Sequence, residues 1–162
     1  VLSKQPDTIL LVSGEGPWRA NIESAIEAAG LQGSVRLLGR TTDVLLQNLY
    51  NAADCFVMPN IPVVGDMEGF GRVLIEAALC EVPVVASGIE GIRDAITDGK
   101  NGTLVPAKDA AAHAQAILKV LRDTTHSRTA GARARKYSLA TFGWEHISEQ
   151  YLAVYNNVGH EV

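Results

Sequence analysis

The chain has 162 residues, 47% of them hydrophobic, enough for one compact α/β domain with its own core. Its formal charge of -4 is spread along the sequence, which argues against a nucleic-acid binder, since phosphate backbones call for a basic face. No apolar run reaches bilayer-spanning length, and no basic start precedes an apolar stretch at the N-terminus. Cys55 and Cys80 sit in apolar surroundings without metal-ligand spacing, and read as reduced, buried residues of a cytosolic protein.

The first element is TILLV at 8–12, a run that reads as a buried parallel strand ended by Gly14-Glu15-Gly16. A helix follows, with Pro17 near its first turn and Ile22, Ile26 and Ala29 on one face, stopped by Gly30. The next strand is 35–38, closed by Gly39. Asp43 then reads as the N-cap of a helix carrying Val44, Leu45, Leu49 and Ala52. A third strand at 55–58 leads into a loop over 59–68 that contains two prolines. A helix over 71–79 precedes the β-branched strand 82–86, interrupted by Pro83. Residues 92–96 form a short helix, and DGKNG at 98–102 is a dense turn signal before a brief strand at 103–105. The remainder is helical. Ile117, Val120 and Leu121 share one apolar face; Trp144, Ile147, Tyr151 and Tyr155 share another, on a C-terminal helix over 139–158.

Strands alternating with helices predict a Rossmann-like open parallel sheet with helices on both faces. Such sheets take ligands beyond the carboxyl ends of their strands. The loops that matter are therefore 14–17, 39–43, 59–71 and 86–91.

The most informative stretch is EGFGRVLIEAALCEVPVVAS, from Glu68 to Ser87. Two glycines flank Phe70 where a loop becomes a helix, and glycine permits close backbone approach and positive φ. The free N–H groups of a first helical turn suit a phosphate. Glu76 lies more than one turn inside that helix, its side chain leaning back toward the N-terminus, where it can accept hydrogen bonds from hydroxyls such as those of a ribose. Glu68 lies before the helix, where a sugar has room. Two carboxylates around a phosphate-binding turn outline a sugar–diphosphate–ribose ligand. The plainer reading is a solvated helix whose Glu68 favours the dipole and whose Glu76 faces water. Against it, Glu76 adjoins a strongly apolar helix end, where a carboxylate needs a partner.

The segment resembles the C-terminal domain of the group 1 retaining glycosyltransferases with the GT-B fold. Glu68 and Glu76 match that family's pair of glutamates with seven residues between them. GEGPWRANIE, SVRLLGR, NLYNAADCFVMPN and DGKNGTLVP resemble successive pieces of the same domain in the same order, and the likeness continues to the final helix with Trp144 and Tyr155. The resemblance implies one donor-binding domain over 1–162, the C-terminal half of a two-domain enzyme. It transfers a sugar with retention from a UDP- or GDP-linked donor to a glycan or glycolipid, with no metal or other cofactor. Carried over to this chain, Glu68 is the catalytic residue and holds the donor sugar together with backbone groups of Gly69, Phe70 and Gly71. The backbone N–H groups of Val73 and Leu74 meet the diphosphate, and Glu76 holds the ribose. Arg40 and Thr41 lie beside the base, and Gly14 and Gly16 line the cleft. Stabilising the leaving diphosphate is the main catalytic task.

There are departures. The family's domain opens with a glycine-ended strand followed by an Arg and a Lys that contact the diphosphate. VLSKQPD resembles the end of the helix after them, so the opening strand, its basic pair and the N-terminal acceptor domain are expected to lie outside this chain. The chain is then expected to be inactive alone and to expose a sheet edge through which it self-associates. Glu81 stands where the family has glycine, Asp94 where it has glutamate, and Arg72 at an apolar or small position; Arg72 reads as a surface charge. His113, His126, His146 and His160 are scattered and read as surface residues. Asn101-Gly102-Thr103 reads as a turn rather than a glycosylation acceptor, and the Trp144, Tyr151 and Tyr155 stripe as core packing. The expected setting is cytoplasmic, peripheral at the inner membrane face. Two rivals remain: a module that senses nucleotide sugars without chemistry, and half of a nucleotide-sugar epimerase.

Overall fold

The computed structural model describes residues 1–65 and 69–158. The chain divides into two compact units, Val1–Ala52 and Ala53–Val162.

The first unit holds strand β1 (Leu10–Ser13), helix α1 (Arg19–Ala28), strand β2 (Val35–Gly39) and helix α2 (Asp43–Ala52). β1 and β2 pair in parallel, Leu10 opposite Val35 and Val12 opposite Leu37, and the register slips at Ser13, which faces Gly39. The expected buried strand is here half open: Ile9, Leu10 and Leu11 are 53%, 48% and 45% exposed. β2 is the only strand paired with β1 among the described residues. A parallel strand reads as a continuous apolar run because such strands are normally covered on both faces. Within this unit one edge of that run has no partner. α1 is correspondingly exposed along most of its length, although it ends as expected at Gly30, whose φ is +66°. Thr42, rather than Asp43, caps α2: its hydroxyl accepts from the Leu45 N–H at 3.2 Å, leaving Asp43 in the first turn.

The second unit carries strand β3 (Phe56–Met58), helix α3 (Arg72–Leu79), strand β4 (Val84–Ser87), helix α4 (Ile92–Ala95), strand β5 (Thr103–Val105) and helices α5 (Ala110–Arg122), α6 (Thr124–Phe142) and α7 (Trp144–Val158). Its sheet is parallel in the order β3-β4-β5. β4 is central and buried throughout, and it begins at Val84 because Pro83 cannot donate to the ladder. The core lies around it: Val84, Val85 and Ala86 meet Leu74, Ala77 and Ala78 of α3, with Ile89, Ile92 and Ile96 beyond. α3 ends in a Schellman turn, in which the Val82 N–H reaches the Ala77 carbonyl and the Glu81 N–H that of Ala78. The turn holds Glu81 left-handed at φ 63°, a conformation that costs a non-glycine residue about 1–2 kcal/mol. α6 packs on this turn: a Cβ on Gly131 would overlap the Glu81 carbonyl, and Arg135 reaches the Glu81 carboxylate at 3.4 Å.

The 98–102 turn is anchored from within. Asn101 is fully buried; its Oδ1 accepts from the Thr97 N–H at 2.9 Å, and its Nδ2 donates to the Ala95 carbonyl at 2.9 Å and to Ser138 Oγ of α6 at 3.4 Å. A side chain so enclosed is a turn anchor and no glycosylation acceptor. Thr97 Oγ1 and the Tyr137 hydroxyl add a second tie to α6 at 2.9 Å.

Three expectations change. The helix read over 139–158 is two helices, parted at Gly143, which leaves the helical region at ψ 148°; a Cβ there would overlap the Leu139 carbonyl. Trp144, Tyr151 and Tyr155 do not pack into a core: with Leu152 and Val154 they leave an exposed apolar face on α7. His113 is buried, not a surface residue. Its Nδ1 lies 2.9 Å from the Asp109 carbonyl, which can only accept, so this nitrogen donates, and Nε2 meets Ser87 Oγ at 3.4 Å.

Candidate functional site

The carboxyl ends of β3 and β4 converge on the turn at Gly69, Phe70 and Gly71. Gly71 is the N-cap of α3 and is left-handed, φ 70° and ψ 55°. A Cβ at this position would meet Leu74 Cδ1 at 2.9 Å, so glycine is required both for its torsions and for its space. Across from it, a Cβ on Gly91 would overlap the Gly69 carbonyl. The start of α4 therefore presses directly on the backbone of this turn. Phe70 turns its ring onto Phe142 at the end of α6, edge to face, with centroids 5.3 Å apart at 76°.

This packing presents the first turn of α3 outward. The Leu74 N–H, one of the two expected diphosphate donors, already donates to the Gly71 carbonyl at 2.9 Å. Among the described residues the N–H groups of Arg72 and Val73 have no acceptor. Glu76 is exposed on the same helix while Leu74, Ile75, Ala77 and Ala78 are buried, so its carboxylate faces outward from the packed side. Glu68 lies outside the described residues.

The remaining expected residues belong to the first unit. At the carboxyl ends of its two strands, Ser13 Oγ and Thr41 Oγ1 lie 2.7 Å apart, and the Gly14 N–H donates to the Gly39 carbonyl at 2.8 Å. Gly14 has φ 129° and Gly39 φ 68°, torsions that glycine accepts. Arg40 is exposed and Thr41 half-buried. A cavity of 230 Å³ opens beside this rim, lined by Val12, Gly14, Gly16, Trp18 and Leu37 among others.

Sequence reasoning missed three features of the second unit: Gly91 against Gly69, Phe142 against Phe70, and Arg93, whose guanidinium lies over Gly88. The first two join segments far apart in the chain and the third turns on how the loop after β4 folds back on itself, and no local pattern announces such contacts. Among the described residues no three His, Cys, Asp or Glu side chains are grouped to hold a metal ion, and no helix is long and apolar enough to cross a membrane.

Comparison with known proteins places the chain in a family. The family described as "Glycosyl transferases group 1" matches residues 1–137. The phosphatidyl-myo-inositol mannosyltransferase of Mycobacterium leprae is 35% identical over 153 residues, 94% of this chain but 38% of that protein. Among solved structures, the sucrose-phosphate synthase of Thermosynechococcus elongatus is 32% identical with a TM-score of 0.82, over 99% of this chain and 41% of that one. Anabaena HepE, solved in complex with UDP, is 25% identical with a TM-score of 0.81, over 94% of this chain and 42% of that one. The chain therefore spans well under half the length of these relatives. With a matching family profile over most of its residues and a parallel α/β architecture shared with these structures, the chain belongs to the group 1 glycosyltransferases.

Proposed function

We propose that this chain is the donor-binding part of a hexosyltransferase that moves a sugar, with retention, from a UDP- or GDP-linked donor to a glycan or glycolipid. The observation that carries the reading is the Gly69–Gly71 turn: a left-handed glycine opens α3, whose Arg72 and Val73 N–H groups have no acceptor among the described residues, with Glu76 exposed on the same helix. An anion at a helix N-terminus gains from both the free donors and the dipole. A carboxylate further along the helix suits vicinal hydroxyls, which can each donate one hydrogen bond. In this reading Val73 takes the diphosphate and Glu76 the ribose. Glu68, with Gly69, Phe70 and Gly71, takes the donor sugar, while Arg40, Thr41, Gly14 and Gly16 serve the base side. The solved HepE complex with UDP supports a nucleotide ligand. The mannosyltransferase and sucrose-phosphate synthase relatives support sugar transfer. The donor needs no metal or other cofactor here, the acceptor is held by a further domain, and the parent works in the cytoplasm at the inner membrane face.

The test is an NMR titration of the chain with UDP and with GDP, repeated on Glu76→Ala. Shifts at Gly69–Leu74 that weaken at least about tenfold in apparent affinity in the variant are expected, the loss of a charged hydrogen-bond partner. Folded protein showing no shift with either nucleotide would overturn the reading. A sensing module would bind in the same way yet transfer nothing when joined to an acceptor domain, and an epimerase half would return an altered sugar.

A further inference from the structure

Gly88 is the first residue beyond the carboxyl end of β4, held there by its N–H bond to the Val105 carbonyl at 2.8 Å. The Arg93 guanidinium lies flat against it: a Cβ on Gly88 would stand 3.0 Å from Nη2, 3.2 Å from Cζ and 3.6 Å from Nη1. The absence of a side chain at 88 is what admits the guanidinium to this position. The same loop reaches the Gly69–Gly71 turn through Gly91, whose Cα presses on the Gly69 carbonyl and the Phe70 amide. Arg93 thus emerges two residues from the contact that fixes the turn, on the side of the sheet where parallel α/β folds take ligands.

Among the described residues Arg93 makes no hydrogen bond and no ion pair, although Asp94 follows it directly in sequence. The other cations of this unit are placed differently. Arg135 is paired with Glu81; Lys100 sits in the 98–102 turn and Lys108 in the loop between β5 and α5; Lys119 and Arg122 lie in the last turn of α5; Arg128, Arg133 and Lys136 are on α6. Arg72 opens α3 itself. A guanidinium stacked on backbone has lost much of its rotamer freedom already, and its fork matches the two oxygens of a phosphate.

We infer that Arg93 is a donor-binding residue that contacts the diphosphate of the nucleotide sugar. The inference rests on the nucleotide-sugar reading above and adds to it a cation within this chain, next to the turn whose backbone meets the same group. It acts by favouring the diphosphate both when bound and when it leaves as the more highly charged nucleotide.

The experiment compares UDP, GDP and their nucleosides by calorimetry on the unsubstituted chain, Arg93→Gln, Arg93→Lys and Lys119→Gln. Arg93→Gln gives up the stacking on Gly88 but no hydrogen bond or ion pair among the described residues, so the fold is expected to persist, as an unchanged amide spectrum would verify. The expected result is a loss of about 10-fold or more for the better-bound diphosphate, the scale of one charge-assisted hydrogen bond. The nucleoside should bind as before, Arg93→Lys should fall between, and Lys119→Gln should match the unsubstituted chain. UDP and GDP carry no donor sugar, so a loss with them assigns the guanidinium to the diphosphate rather than to a charged sugar. Equal diphosphate affinity in Arg93→Gln, or an equal loss for the nucleoside, overturns the assignment and leaves the donor reading standing. Failure of the unsubstituted chain to bind either diphosphate overturns the donor reading, and this assignment with it.

Discussion

Cys55 shows how far a single side chain is governed by its surroundings. Burial, with a smaller contribution from the neighbouring Asp54 carboxylate, pushes its thiol up from 9.0 to about 12. In the unfolded chain it ionises near the ordinary value, while in the folded chain it stays neutral well above that. Its contribution to stability is therefore complete below about pH 9 and is lost as the pH rises from about 9 toward 12, by at most about 1.4 kcal/mol per unit. Urea unfolding of the chain and of Cys55→Ala at pH 8.5 and 10.5 checks this: the gap between the two should narrow at the higher pH. A gap that stays constant would mean the thiol is not buried as described. The thiol of Cys80 is also raised, again first by burial, with Arg135 working against that and Glu76 with it. At the same scale, Asn101 shows why an asparagine with a sequon pattern sits inside the protein. Its amide satisfies the Thr97 N–H, the Ala95 carbonyl and Ser138 Oγ, and a buried group among them left without a partner costs about 1–3 kcal/mol.

Among the elements, the decisive contacts are between backbones, where glycine removes the obstacle of a side chain. Gly131 lets α6 touch the end of α3, and Gly91 lets the start of α4 touch the Gly69–Gly71 turn. The two should respond differently to the same substitution. Gly91→Ala drives a methyl group into the Gly69 carbonyl, and the neighbour that can yield is the turn itself. It should weaken UDP or GDP binding more than about tenfold while costing the overpacking penalty of about 1–3 kcal/mol in stability. Paired denaturant melts and nucleotide titrations would show it; unchanged affinity in a folded Gly91→Ala protein would mean that the turn's position does not matter for the ligand. The break at Gly143 belongs to this scale too. It ends α6 at Phe142, where that ring meets Phe70, and starts α7 as a separate element with its apolar face outward.

For the whole molecule, the contrast between the two units carries the main consequence. The second unit surrounds β4 with a complete core. The first presents the apolar β1, with Ile9, Leu10 and Leu11 about half exposed and one edge unpaired among the described residues. Exposed strand edges of this kind pair with other chains. Sedimentation velocity should show concentration-dependent self-association that Leu10→Lys reduces. A monomer at all concentrations would show that this edge is not adhesive.

The order of elements, the parallel class and the glycine turn that opens α3 were legible from the sequence alone. The reason is that they rest on local signals: apolar runs of strand length, glycines at loop ends, and a glycine-flanked aromatic before an amphipathic helix. Gly71 is legible at the level of a single torsion, since a glycine where a loop becomes a helix permits positive φ, whereas the left-handed state of Glu81 follows from the turn that closes α3. The family resemblance named the ligand class, which those local signals only outlined. What the tertiary structure decided was which side chains lose water and which stay in it. Periodicity marked β1, α1 and α7 as apolar, but burial requires something to cover the apolar face, and pattern cannot supply a neighbour. The burial of His113 and the contact of Gly91 with Gly69 depend on pairs brought together by the sheet and its crossings, and the stacking of Arg93 on Gly88 on how one short loop folds back, all of which only the folded chain defines.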